Sequence, residues 1–492
     1  VQEPAFVDLA ESGSLLVFGG SGSGKSVFCR TIASSMSLKQ SRDAIRIYGI
    51  DCAGGQLGAL EELAPVGSII PGDDREGVTR LLRDLRQTIG ERGELFASEQ
   101  VSTLEEYVDK TGDLQTPRIM VLLDGYAAFY SLWEKFERGQ YVEMLERIVA
   151  ESRAAGIHFV ITSDSKAAVG AALFGAIPQR IVLKMSNPDD YGNLGITGAP
   201  VDIGDPPGRG YIDPDHQFQV AVLGGKRGGA EQADALAWLA GQLSANRSAP
   251  PIRRLPEAVS LEQMSASTRP ELVRIGIAAS SLAPIEVDLS DESVIVFGPP
   301  RSGKSTTLDL LCAERKRIDP TLQTVLVLFR DQRETFADYD RVIVGATNFE
   351  EFLDELSDAS EDEDEDEDEK SQRAVGERWL ICVDDAPDLF EDGGSIEFDE
   401  VIRLGRGTGI TAVVACDTGR AGEGYDPIDR LKKNRTGIIL RPIFGNEDML
   451  FYNDLPSAAG LPLPAGRGYW VSRASDPQLI QVAAPTSSAL DA

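Results

Sequence analysis

Residues suited to soft-metal or thiol chemistry are scarce in this chain of 492 residues, which holds five cysteines (Cys29, Cys52, Cys312, Cys382, Cys416) and two histidines (His158, His216). No two cysteines have CxxC spacing, which argues against a zinc ribbon or a dithiol redox motif. The cysteines fall in runs expected to form helices or strands, the setting of reduced core thiols in a cytosolic protein. No apolar run approaches the roughly 20 residues a membrane-crossing helix needs, and no signal-peptide pattern is visible. Positive charge is also short, with 48 Lys and Arg against 79 Asp and Glu, a net charge of −31. A protein that grips nucleic acid through its phosphates needs a basic face, so nucleic acid is a poor candidate partner. Part of the acidic excess is local. Residues 361–369 are all Asp or Glu, a self-repelling run expected to form a disordered, solvated insertion at about 357–372. The first residue is Val1 rather than methionine, as expected of a segment of a longer protein.

Glycine, by contrast, recurs in two phosphate-loop patterns of the form G-x-x-x-x-G-K-S. The first is Gly19, Gly20, Ser21, Gly22, Ser23, Gly24, Lys25, Ser26, and the second is Gly298, Pro299, Pro300, Arg301, Ser302, Gly303, Lys304, Ser305. Glycines in this pattern let backbone N–H groups turn inward around α and β phosphates, the lysine reaches the β/γ oxygens, and the hydroxyl ligates Mg²⁺. Each loop follows an apolar run, Leu15–Phe18 or Val294–Phe297, and precedes a helical pattern, 27–36 or 306–313, whose N-terminus favours an anion. Two matches with correct flanks in one chain imply a tandem binder of ATP and Mg²⁺.

The order of elements repeats behind each loop. Apolar strands end at Asp124 (118–124) and at Asp384 and Asp385 (378–385). An acid there, beside a phosphate loop, holds Mg²⁺, so the expected metal ligands are Ser26 with Asp124 and Ser305 with Asp384. Strands alternating with helices predict an α/β fold: two tandem P-loop NTPase domains, each a mainly parallel sheet flanked by helices. Arg153 and Arg406 occupy matching places before a later strand, and Arg209 and Arg467 match near the end of each half. Arginines of this kind can reach the γ-phosphate of a neighbouring subunit. The expected boundaries are 1–247 for the first domain, 248–267 for a proline-rich linker and 268–492 for the second domain.

These motifs, with Phe6–Gly13, Ile50–Leu57, Pro65–Gly67 with Asp73 and Asp74, Ser152–His158 and Leu461–Arg473, resemble the FtsK/SpoIIIE superfamily of RecA-like ATPases. The resemblance is strongest to the membrane-anchored EccC/EssC ATPases of type VII secretion, and it covers essentially the whole chain as their second and third ATPase domains. It implies a location at the cytoplasmic face of a membrane with the anchor upstream. It also implies partners: secreted WXG100-type substrates recognised through a carboxyl-terminal signal, other secretion-machine subunits and, as one possible assembly, a hexameric ring. Residues 443–444, 449–452 and Leu455 are candidate apolar material for that substrate. The alternatives are an FtsK-like DNA translocase and a non-hydrolysing nucleotide-binding scaffold. The first half departs from an efficient hydrolase by carrying Gly125 where a second acid would activate water; the second half keeps Asp385. The first site is therefore expected to bind ATP better than it hydrolyses it.

Overall fold

The computed structural model describes residues 3–9, 13–39, 44–197, 205–226, 228–243, 249–265, 267, 269–330, 333–361, 378–421, 426–442, 451, 455, 463–473 and 475–486. The chain divides into two compact units, Val1–Arg253 and Arg254–Ala492.

In the first unit the strands are β1 (Leu15–Phe18), β2 (Ile45–Asp51), β3 (Val66–Pro71), β4 (Arg118–Asp124), β5 (Ile157–Ser163), β6 (Gln179–Leu183), β7 (Arg209–Asp213) and β8 (His216–Gln219). They lie in the order β3-β2-β4-β5-β1-β6-β7-β8. From β3 to β6 the pairings are parallel, and the β7–β8 hairpin closes that end antiparallel. Strands such as Leu15–Phe18 and Ile157–Ser163 are buried along their whole length, because a parallel sheet is covered by helices on both faces. That explains why they read as unbroken apolar runs rather than alternating ones.

The second unit repeats the design with β11 (Val294–Phe297), β12 (Gln323–Leu328), β13 (Arg341–Val344), β14 (Trp379–Val383), β15 (Ile410–Cys416), β16 (Gly437–Leu440), β17 (Arg467–Ser472) and β18 (Ser475–Val482). It adds a preceding hairpin, β9 (Val273–Ala278) and β10 (Pro284–Val287). The order is β10-β9-β18-β17-β16-β11-β15-β14-β12-β13. The duplication extends to single hydrogen bonds. Gly208 N donates to Ser23 O at 2.7 Å as Gly466 N does to Ser302 O at 2.8 Å, and Gln219 Nε2 donates to Pro207 O as Gln481 Nε2 does to Ala465 O.

The stretch expected to be a linker, 248–267, is bound to the two units in turn. Ala249 N donates to Ala64 O, Tyr48 Oη to Pro250 O at 3.1 Å and Ile252 N to Ser68 Oγ at 2.9 Å. From Leu255 onward the segment packs on the second unit. Arg467 donates to Leu255 O and Pro256 O, and Ala484 N donates to Val259 O. The acidic run 362–369 and the apolar residues 443–444, 449–450 and 452 lie outside the described residues. Of the described candidates, Phe451 is core: it is buried and packs edge-on against Phe297 with ring centroids 5.5 Å apart. Leu455 is half-buried against the same cluster.

Two candidate nucleotide sites

In each unit the phosphate loop joins the central strand to a helix, α1 (Lys25–Lys39) after β1 and α2 (Lys304–Ile318) after β11. The last loop glycine is conformationally obligatory. Gly24 and Gly303 adopt φ of +101° and +99°, and a Cβ on Gly24 would lie 3.1 Å from Gly208 N. Only glycine accepts that backbone and that approach. The lysines fold onto their own loops: Lys25 Nζ donates to Gly19 O at 2.6 Å and Gly20 O at 3.0 Å, and Lys304 Nζ to Gly298 O at 3.0 Å and Pro299 O at 3.2 Å. Lys25 also pairs with Asp164 Oδ1 at 2.7 Å. Among the described residues the hydroxyls of Ser23 and Ser302 are buried without a partner, leaving in each loop an orphaned donor that an anion's oxygens can accept from.

Around the first loop lies a cleft of about 680 Å³ whose lining includes Lys25, Ser26, Asp124, Gly208, Gln219 and Gln232. Strand β5 lies between β4 and β1, so its Thr162 stands beside Asp124. Ser26 Oγ donates to Asp124 Oδ2 at 2.5 Å, Thr162 Oγ1 donates to Asp124 Oδ1 at 2.6 Å, and Gly125 N donates to Thr162 Oγ1 at 2.8 Å. Burial raises the Asp124 carboxyl above its usual range, against the lowering effect of these two hydroxyl bonds. The hydroxyl–carboxylate pair of Ser26 and Asp124 is a fitting donor set for Mg²⁺. Asp51, at the end of β2, accepts from Ala53 N, Gly55 N and Leu57 N, which fixes the loop bordering the cleft. Cys52 on that loop departs from the core-thiol expectation: it is only half-buried and lines the cleft, while burial, Asp51 and Asp124 push its thiol up to about 12. The other four cysteines are buried.

The second site differs at its metal position. Asp384 Oδ2 accepts from Arg333 Nε at 2.9 Å, where Asp124 meets a hydroxyl, and Asp384 Oδ1 is buried without a partner among the described residues. Asp385 adopts φ of +49°, the left-handed turn that Gly125 makes at +92°. Desolvation and the adjacent Asp384 raise its carboxyl. As arranged, these residues do not fit Mg²⁺, because the Arg333 guanidinium occupies Asp384 Oδ2 and approaches Ser305 O at 3.4 Å.

The arginines fall in different places. Arg153 lies beside Gly13, before β1, where a Cβ on Gly13 would be 3.3 Å from Arg153 Cδ. It lines a separate cleft of about 170 Å³ with Arg118 and His158. That is the amino-terminal edge of the sheet, about 20 Å along β5 from the phosphate loop. Arg406 lies on the helix Ser395–Thr408 that leads into the same edge of the second sheet, and its side chain is outside the described residues. Arg209 follows Gly208 and keeps a buried Nε without a partner. Arg467 is a buried structural residue that donates to Gln481 Oε1, Leu255 O and Pro256 O, which withdraws it as a reaching arginine. Sequence reasoning missed Thr162, Asp164 and Arg333. An acid directly after β5 and β15 in both halves, Asp164 and Asp417, was the available signal for the second of these.

Two mixed sheets, parallel through their central strands and antiparallel at one end, each with a phosphate loop at a central strand and an aspartate at the end of a nearby strand, define a tandem P-loop NTPase. Residues 1–211 match the model of the FtsK/SpoIIIE family. Over 98% of its length the chain is 24% identical to the ESX secretion system protein EccC of Thermomonospora curvata, covering 38% of that protein. It is 25% identical to the ESX-4 secretion system protein EccC4 of Mycobacterium tuberculosis over 98% of this chain and 39% of the relative. The chain thus spans about two-fifths of the length of these curated relatives. Its fold is similar to the structure titled Thermomonospora curvata EccC (ATPases 2 and 3) in complex with a signal sequence peptide. That match has a TM-score of 0.73 and 22% identity, and covers 99% of this chain and 90% of that one.

Proposed function

We propose that this chain is the tandem ATPase segment of a type VII secretion protein, binding ATP in each half and coupling that binding, with slow hydrolysis, to recognition of a secreted WXG100-type substrate. The single observation that carries it is the duplicated loop geometry, in which each lysine is held by two loop carbonyls and each loop serine hydroxyl is buried without a partner. In the first site Lys25 would move from its carbonyls to the β/γ phosphate oxygens, while Ser26 and Asp124 would hold Mg²⁺. Held there, the metal would supply positive charge against the phosphates' negative charge. Thr162 keeps the Asp124 carboxylate turned toward Ser26. Neither site is fully equipped for turnover: the first has Gly125 in place of a water-activating acid, and the second has Asp385 but a metal aspartate engaged by Arg333. Arg153 and Arg406, at the edge away from their own loops, would act on a neighbouring subunit.

The net charge of −31 stands against the DNA-motor reading. The place of the EccC-type relatives in secretion supports a peptide partner on the second unit. The test is the ATPase rate of the full chain alone, with double-stranded DNA, and with a peptide from the tail of a cognate WXG100-type substrate. Saturable peptide binding with no DNA response supports the proposal. DNA-stimulated turnover with no peptide binding overturns it.

A further inference from the structure

The position five residues after the loop lysine carries opposite charges in the two halves, Arg30 in α1 and Asp309 in α2. Arg30 donates to Gln56 O, Gln56 Oε1 and Gln232 Oε1 rather than to Asp124. Asp309 is fully buried and holds Arg333 in a two-pronged pair, Nη1 to Oδ2 and Nη2 to Oδ1, both at 2.9 Å. Tyr339 Oη and Phe336 N donate to the remaining sides of the same carboxylate. With Asp309 so completely bonded, the Arg333 guanidinium is fixed, and its Nε reaches Asp384 Oδ2 at 2.9 Å. The first site has no such clasp. There, Thr162 and Ser26 hydroxyls flank the aspartate, and the counterpart of Thr162 in β15 is Ala415, which has no hydroxyl.

We propose that Arg333 is a built-in cation that substitutes for Mg²⁺ at the second site, so that this half binds nucleotide without needing the metal until the Asp309–Arg333–Asp384 clasp opens. Two observations meet here. A delocalised guanidinium with five donors matches two carboxylates at once, and its Nη2 also lies 3.4 Å from Ser305 O, so the cation stands against both residues expected to hold a metal. Opening the clasp would release Asp384 Oδ2 and leave Asp385 beside an unengaged aspartate. The second half would then pass from a metal-independent nucleotide holder to a metal-dependent site. The inference rests on the nucleotide reading of the second half.

The test isolates the second site in the full chain with Lys25→Ala and measures ATP affinity with excess Mg²⁺ or with EDTA, together with Mn²⁺ binding in the presence of ADP by electron paramagnetic resonance. The expected result is affinity equal within about threefold in the two conditions and no tightly bound Mn²⁺. Adding Arg333→Gln should make Mg²⁺ tighten ATP by at least about tenfold and bring in one Mn²⁺. Because Arg333→Gln leaves Asp309 charged and buried, the pair Arg333→Gln with Asp309→Asn serves as the folding-neutral variant and should respond alike. Strong Mg²⁺ dependence already present with Arg333 in place, unchanged by its replacement, overturns the clasp. So does weaker ATP binding by the Arg333 variants in both conditions, which would make Arg333 a nucleotide ligand. Absence of ATP binding in both conditions before Arg333 is touched would refute the nucleotide reading of this half itself.

Discussion

Asp164 is placed to compete with nucleotide for Lys25, and Asp164→Asn measures how strongly. In the structure Lys25 Nζ meets Asp164 Oδ1 at 2.7 Å as well as two loop carbonyls, and all of these contacts stand where a phosphate would take the ammonium. The Asp164 side chain is 68% exposed, so the ion pair is solvent-screened and worth roughly 0.2–1 kcal/mol. Its charge also repels the incoming phosphates, which at about 6 Å in a water-like medium adds roughly 0.7 kcal/mol. Removing both terms should tighten ATP at the first site by about 1–1.7 kcal/mol, or roughly 5- to 15-fold. The gain should shrink toward nothing as salt shortens the Debye length below about 10 Å. A fluorescent ATP analogue titrated into the Lys304→Ala chain at low and high salt reads the first site alone. Weaker binding by Asp164→Asn at low salt would refute the reasoning and make Asp164 part of the bound complex.

Four further outcomes follow from the same geometry. Since burial raises the Asp124 carboxyl, the folded state holds its proton more tightly than the unfolded chain, and this group's contribution to stability is lost as pH rises from the ordinary carboxylate range through the raised value. Asp124→Asn should therefore raise the nucleotide-free melting temperature of the first unit at neutral pH and flatten its pH dependence, while weakening Mg²⁺-dependent binding; a lower melting temperature contradicts this. Arg467→Ala strips donors from Leu255 O and Pro256 O and should cost the second unit on the order of 3–5 kcal/mol in denaturant unfolding. Arg153→Ala should change stability by less than about 0.5 kcal/mol and leave nucleotide affinity unchanged. Phe451→Ala should destabilise the second unit by about 3–5 kcal/mol, the signature of core packing against Phe297 rather than of a docking groove.

The parts of this molecule legible in its sequence are those written locally. Leu15–Phe18, Val294–Phe297 and Arg118–Asp124 read as strands because parallel strands are apolar on both faces, and their bounds match the structure. The loop glycines read from spacing because only glycine makes the left-handed turn at Gly24 and Gly303. What escaped notice depends on strands distant in sequence meeting in the sheet. Thr162 reaches Asp124 because β5 lies between β4 and β1, and Arg333 reaches Asp384 from the loop after β12 because Asp309 on α2 anchors it. The prolines of 248–256 suggested a free linker, yet neighbouring backbone groups bind to Ala64, Ser68 and Arg467. Composition reports that such a segment is not a helix or a strand; it does not report what the segment lies against.

One nucleotide-site plan occurs twice in this chain, and counting bound nucleotides is the most direct test of that. Calorimetric titration of ATP into the full chain should give two equivalents. Lys25→Ala and Lys304→Ala, each removing a charge-assisted contact worth roughly 1.5–3 kcal/mol, should each reduce the count at fixed ATP to one by weakening their own site about 10- to 150-fold. A single equivalent in the parent chain, or a count unchanged in both variants, would contradict the account.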